Sequence, residues 1–330
     1  MSFTESLVKS LKEKGLSDSS IILYVKNLTR LNDGEVKNLK CLENVEEVQK
    51  KLEKFKPSTR KAYLTCIVSV LGSLPSKKND KLKTKYYSIL NDAVKTMKET
   101  PSEQMTKTQS DNWLDWEGVI KVFEDNLKEV ESFATNKTLT DAQYTKLLNL
   151  MVLSLYILVP PRRNEDYSKM VVKNSVKEGD STEQNYLDLT KKEFIFNVFK
   201  TAKKFKDENK VFPIPDSLFN IILLYLKHHP IIHGKKIPKD AEVPFLVYKD
   251  GSRLDKINSI TRILNKIFGK KIGVSMLRHS YLTNKFGDVN KEKEEIADAM
   301  GHSVITQGQY IKDPTLGGNP LTPEPKRIFH

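Results

Sequence analysis

Residues 142–167 read AQYTKLLNLMVLSLYILVPPRRNEDY, and their interpretation decides the fold. Leu147 to Val159 is the longest apolar run of the chain, interrupted by Asn149 and Ser154. A membrane span needs ~20 apolar residues, so this shorter run is expected to be a helix buried in a globular core. Pro160 and Pro161 end it, because proline lacks an amide hydrogen and its ring clashes with the preceding turn. Arg162 and Arg163 follow at once, and two guanidinium groups at the mouth of a core helix call for an anion to meet them. Arg163 has Asp166 at +3 and Tyr167 at +4, a spacing that lets an acid one turn later buttress the arginine. Arg162 is its rival, with Glu165 at +3 and Asp166 at +4.

On either side of this helix the hydrophobic period tells the rest. Val119 to Val130 is a second helical segment, and Trp113 and Trp116 ahead of it anchor the start of a domain. Downstream, Tyr186 to Leu189, Phe194 to Phe199 and Val211 to Ile214 are short β-rich runs split by polar turns, which predicts a small antiparallel sheet. From Ser217 the period is helical again, over Leu218 to Leu226, Ile260 to Phe268, Leu277 to Phe286 and Glu294 to Met300. Beyond Ile311, Pro314, Gly317, Gly318, Pro320, Pro323 and Pro325 exclude a regular helix or strand.

The first hundred residues form a separate pattern. Leu7, Val8 and Leu11 stop at Gly15; Ser17 to Ser20 offer caps for a helix holding Ile21, Ile22, Tyr24, Val25 and Leu28. Val45, Val48 and Leu52 suggest a third helix, Pro57 starts a fourth, and a fifth spans roughly Leu82 to Met97. Residues 99–112, ETPSEQMTKTQSDN, read as a polar linker. The 330 residues thus divide into a helical domain at 1–98, a linker at 99–112, a second domain at 113–311 and a tail at 312–330. The expected fold class is mainly α with a small antiparallel β-sheet.

The chain carries 55 Lys+Arg against 42 Asp+Glu, a formal charge of +13, which points to a polyanionic partner, nucleic acid ahead of a membrane surface. Residues 1–100 hold 20 of the cations and 12 of the acids, so most of the surplus lies in the first third. Lys51, Lys54, Arg60 and Lys61 are candidates to track a phosphate backbone there. Two cysteines, Cys41 and Cys66, cannot build a disulfide framework or a four-cysteine zinc site. His228, His229 and His233 are split by Pro230 and lack a completing cysteine or acid, so no metal is expected. No Walker-type loop indicates ATP use. The amino-terminal segment lacks a secretory apolar core, so the protein is expected inside the cell and without a membrane anchor.

Three further motifs follow the arginine pair in order. Phe199-Lys200-Thr201-Ala202-Lys203-Lys204 stands at a strand end before a turn. Ser275-Met276-Leu277-Arg278-His279 opens a helix with a basic residue on its first turn. Ala299-Met300-Gly301-His302-Ser303 is closed by Tyr310. The ordered set resembles the tyrosine recombinase (phage integrase-like) superfamily over essentially the whole chain, and the PPRR form is similar to versions in large DNA viruses and mobile elements.

The resemblance implies a helical core-binding domain followed by an α+β catalytic domain. It assigns Arg163 and Arg278 to the non-bridging oxygens of the scissile phosphate, with Arg162 the alternative for the first. Lys200, with Lys203 and Lys204 as neighbours in competition, would protonate the departing 5′ oxygen. His302 would hydrogen-bond the phosphate, and Tyr310 would attack it to form a 3′-phosphotyrosyl bond. Arg162 and Lys204 would otherwise touch the DNA. A phenol of ordinary pKa ~10 is a poor nucleophile at neutral pH, so the cations must favour its phenolate. No metal or cofactor is implied. The partners implied are double-stranded DNA and a homotetramer assembled on it from free monomers or dimers, with Leu316 to Phe329 docking on a neighbouring subunit. The implied activity is DNA integration or recombination, in the cytoplasm, nucleus or viral factory of a host. Two departures stand out. Ser275 occupies a position that is usually histidine, and Tyr310 lies eight residues after His302, one fewer than usual. Tyr281 is the other nearby phenol and falls where the family keeps a buried aromatic. The alternatives are a non-catalytic DNA-binding protein with this fold and a type IB topoisomerase-like enzyme.

Overall fold

Capping side chains set where the amino-terminal helices begin. Ser2 accepts from the Glu5 amide while the Glu5 carboxylate takes the Ser2 N–H at 2.7 Å, so α1 (Phe3–Glu13) opens on a reciprocal pair. Gly15, at φ 74°, supplies the left-handed turn after it. Ser17 caps α2 (Asp18–Leu31), Asn44 caps α3 (Val45–Glu53), and Pro57 occupies the first position of α4 (Pro57–Ser73), followed by α5 (Lys77–Glu99). Leu7, Leu11, Leu28, Leu64, Ile67 and Tyr86 bury into one core with Cys66, whose thiol burial pushes up to about 12. The α2 stripe is narrower than the sequence suggested: Ile21, Leu28 and Leu31 face inward, whereas Ile22 is 68% exposed.

The computed structural model describes residues 2–99, 105–200, 202, 211–235, 237, 241–256, 258–301 and 303–310. The chain divides into two units, Met1–Met105 and Thr106–His330. The expected linker is therefore partly structured. Thr106 and Gln109 form a reciprocal cap that starts α6 (Lys107–Asn112), and the Asn112 side chain accepts from the Lys271 amide at 2.9 Å.

The second unit is built around the apolar run. After α7 (Trp116–Glu131), Thr140 caps α8 (Asp141–Ile157), in which Leu147, Leu150, Met151, Val152, Leu153, Leu155 and Tyr156 are fully buried. At about 1.5–3 kcal/mol for each large apolar side chain, this helix is the anchor of the core. α7, α10 (Asp216–Lys227) and α11 (Ser259–Phe268) all pack on it.

The sheet is mixed rather than antiparallel. Its strand order is β4 (Val211–Pro213), β3 (Glu193–Ile195), β2 (Tyr186–Asp188), β1 (Val171–Lys173), β5 (Val243–Pro244). β1 and β2 run parallel while the other pairs are antiparallel. The stretch 174–185 is long enough to carry the chain back for a parallel pairing. The two separate helices expected over 277–286 and 294–300 are one, α12 (Val274–Ala299), which passes through Gly287. A single glycine costs about 1 kcal/mol in a helix, and no proline lies nearby to break it. α13 (Val304–Tyr310) follows and packs on α12. No helix among the described residues is long and apolar enough to cross a membrane.

Candidate active site

The two prolines end α8 and hand the chain to α9 (Asn164–Ser168), a short helix that organises the site. Asn164 fixes its start from two sides: its side-chain oxygen accepts from the Tyr156 hydroxyl at 2.9 Å, and its amide donates to Thr261 Oγ1 at 3.0 Å. Thr261 also lies against Gly273, the residue that precedes α12, where a Cβ would sit 3.4 Å from the threonine methyl. The starts of α9 and α12, the elements that carry the two candidate arginines, thus converge on one side chain of α11.

The arginine pair splits into two roles. The acid at one turn serves Arg162, not Arg163: Arg162 Nε donates to Asp166 Oδ2 at 2.9 Å. The Arg162 guanidinium also lies 3.8 Å from the Phe196 ring centre, with Phe212 at 5.1 Å and Phe199 at 5.4 Å. A cation held by a carboxylate and packed among aromatic rings is committed to the fold. That is a different job from the DNA contact expected of Arg162. Arg163, the residue before the first turn of α9, is half-buried, and its side chain has no hydrogen bond or ion pair among the described residues. Burial pushes the Asp166 carboxyl above its usual 3.8, opposed first by Arg162 and then by Arg163. Burial likewise raises the phenols of Tyr156 and Tyr167, which makes neither a ready nucleophile.

Lys200 stands exposed in a turn closed by the Ala202 amide, which donates to Phe199 O at 2.9 Å. It is not on a strand end as expected, because β3 stops at Ile195 and the following residues leave the ladder. A cleft of about 420 Å³ lies beside it, walled by Glu165 of α9, Lys169 just after that helix, Glu183, Lys200, Arg253 and Asp255. Arg253 adds a cation that the sequence did not single out; it sits in an isolated bridge opposite Val247, with no motif around it.

Arg278 is half-buried on the first turns of α12, and Ser275 is exposed one turn before it. Tyr281 packs edge-on against Trp116 at 5.2 Å, and Ser280 Oγ donates to Leu114 O at 2.6 Å, which pins α12 to the start of α7. Tyr310 is the last residue of α13. Its side chain, together with Lys203, Lys204, His302 and the tail after residue 310, lies outside the described residues.

In the first unit the candidate cations differ in freedom. Lys51 is tied to Asp33 at 2.9 Å and Glu47 at 3.6 Å. Arg60 donates to Glu53 O at 3.2 Å, and Lys54 lies 5.4 Å from the Phe55 ring centre. Lys61 is exposed with no ion pair among the described residues. His229 is buried and bonded to Pro244 O at 3.1 Å and the Ile231 amide at 3.2 Å; burial lowers it to about 4, so it stays neutral. No family model, curated protein or solved structure matches this chain.

Proposed function

We propose that the protein cleaves and rejoins DNA strands as a tyrosine recombinase, through a 3′-phosphotyrosyl intermediate. The observation that carries this is the division of labour at α9. Arg162 is locked to Asp166 and a phenylalanine cage, while the guanidinium of Arg163 beside it has no ion pair or hydrogen bond among the described residues, at the start of a helix fixed through Thr261 to the Arg278-bearing helix. Two arginines of that kind suit one phosphate, whose non-bridging oxygens gain charge as a fifth oxygen attacks. Lys200, in the turn beside α9, would give a proton to the departing 5′ oxygen, and Tyr310 would supply the attacking oxygen. The phosphodiester's energy is kept in the tyrosyl bond, so the strand can be resealed without a consumed cofactor. The basic first unit would grip the duplex backbone as a core-binding domain, and assembly on DNA would bring four copies together.

A second reading, a DNA-binding protein of this fold without turnover, is favoured by Ser275. It stands exposed where the resemblance puts a histidine, and a serine hydroxyl cannot take up the tyrosine's proton near neutral pH. Incubation with a nicked duplex followed by a denaturing gel separates the two: a covalent adduct that Tyr310→Phe abolishes supports the enzyme, and binding without an adduct supports the second reading.

Backbone gripping has its own signature. Each phosphate contact contributes about 0.9 to the slope of log K against log salt. Lys61→Ala should lower that slope by about one such contact, measured by fluorescence anisotropy over a salt series. Lys51→Ala should leave it nearly unchanged, because Asp33 and Glu47 already neutralise this lysine.

A further inference from the structure

Asn185 is 4% exposed, at the entry to β2, and its side chain reaches two of the elements that build the site. Its amide nitrogen donates to Asp166 O at 2.9 Å and to Val198 O at 2.9 Å, and its amide oxygen accepts from the Val198 N–H at 2.8 Å. Both backbone groups of Val198 are therefore satisfied by one side chain, which at the same time grips α9. Asn197 adds a bond to Gln184 O at 2.8 Å, and Arg162 lays its guanidinium across Phe196 and Phe199. The segment 196–199 follows the end of β3 and leads into the Lys200 turn. These side chains hold it, and Lys200 is the next residue.

We infer that Asn185 is a positioning residue for strand cleavage: it couples the Lys200 turn to the Arg163-bearing helix, so that the general acid and the phosphate-binding arginine keep one spacing. The inference rests on the recombinase function proposed above. In that step the Tyr310 oxygen bonds to phosphorus and its phenolic proton leaves to water. The P–O5′ bond breaks, the electron pair goes with the 5′ oxygen, and that oxygen takes a proton from the Lys200 ammonium to become a hydroxyl. Without Asn185 the turn shifts and only the last proton transfer suffers.

A sulfur-substituted substrate isolates that transfer. In a duplex whose scissile 5′ oxygen is replaced by sulfur, the P–S bond breaks to a thiolate that needs no proton, since thiols ionise near pH 8.5. On the ordinary oxygen substrate, Asn185→Ala is expected to slow cleavage by about 100-fold, the scale of a misplaced or lost general acid. On the sulfur substrate it should cleave at the wild-type rate, as should Lys200→Ala. The double variant Asn185→Ala/Lys200→Ala should be no slower on oxygen than Lys200→Ala alone, because both remove the same contribution. Asn185→Asp, which keeps the size and loses the donor, guards against a variant that fails to fold; DNA affinity and thermal melting report on the fold. Persistent slowness on the sulfur substrate, additive losses in the double variant, or unfolding of both single variants overturns the inference. So does Lys200→Ala cleaving the oxygen substrate normally. A wild type that makes no adduct on either substrate fails in a different way, since it removes the recombinase function itself.

Discussion

Arg163→Ala and Arg278→Ala are each expected to lower the rate of DNA strand cleavage by about 10²–10³-fold, the usual loss when one preorganised donor to a developing oxyanion is removed. The reason lies in what the arginines do at each stage. In the ground state of the proposed reaction the scissile phosphate would be one charge among many along the duplex. As the tyrosine oxygen adds, the non-bridging oxygens gain negative charge, and guanidinium groups already in place stabilise it without reorganising. Arg163 is suited to this because its side chain has no ion pair or hydrogen bond among the described residues, and because its backbone is fixed through Asn164 to Tyr156 and Thr261. Duplex affinity should therefore stay near the wild-type value while cleavage falls. Lysine should not restore the rate at either position, since an ammonium offers a point charge rather than a planar fork. Single-turnover cleavage of a nicked duplex, with affinity measured in parallel, checks both parts.

Arg162→Ala is expected to act on stability instead. It strips the partner from a carboxylate whose side chain is 4% exposed and empties the space between three phenylalanine rings. Removing one member of a buried pair typically costs about 3–5 kcal/mol. The cost depends on pH in a definite direction. Burial already raises Asp166 above 3.8, and losing Arg162 removes the main opposing pull, so the carboxyl is raised further. A group raised in the folded state favours folding while it is protonated and loses that contribution as pH climbs through its folded value. The variant should therefore lie closest to wild type near pH 4 and fall away from it as pH rises toward 7. Urea unfolding of both proteins at a series of pH values tests this. An equal deficit at every pH would assign the loss to the aromatic cage alone.

Sequence and structure part company at identifiable places. The apolar run at 147–159 and the prolines after it were legible because a buried helix and its stop are local features, and the helix starts at Ser17 and Pro57 are local too. The partner of Asp166 was not, since both arginines lie within a turn of it. What selects Arg162 is the point where the helix begins, together with aromatic rings more than thirty residues downstream. β1 and β5 were not singled out in the sequence, and without them the sheet looked purely antiparallel. α12 was split in the sequence because Gly287 and the polar residues after it interrupt the apolar pattern, although none of them prevents a helix. Asn185 left no trace, because an asparagine after Glu183 and Gln184, just ahead of a β-rich run, looks like a turn. Its worth comes only from the backbone groups that the fold sets around it. Arg253 was hidden for a similar reason, as it enters the cleft from a segment with no motif.

The most direct test asks which atom of the protein becomes joined to DNA. Wild-type protein is incubated with a nicked duplex that traps the cleaved strand, digested with trypsin and nuclease, and read by mass spectrometry. Cleavage after Lys293 and Lys312 releases residues 294–312, EEIADAMGHSVITQGQYIK, with Tyr310 as its single tyrosine. The account predicts a nucleotide phosphate on Tyr310 of that peptide, and none in Tyr310→Phe. A duplex that is bound but never joined to the protein, or a phosphate found on Tyr281 instead, would contradict it.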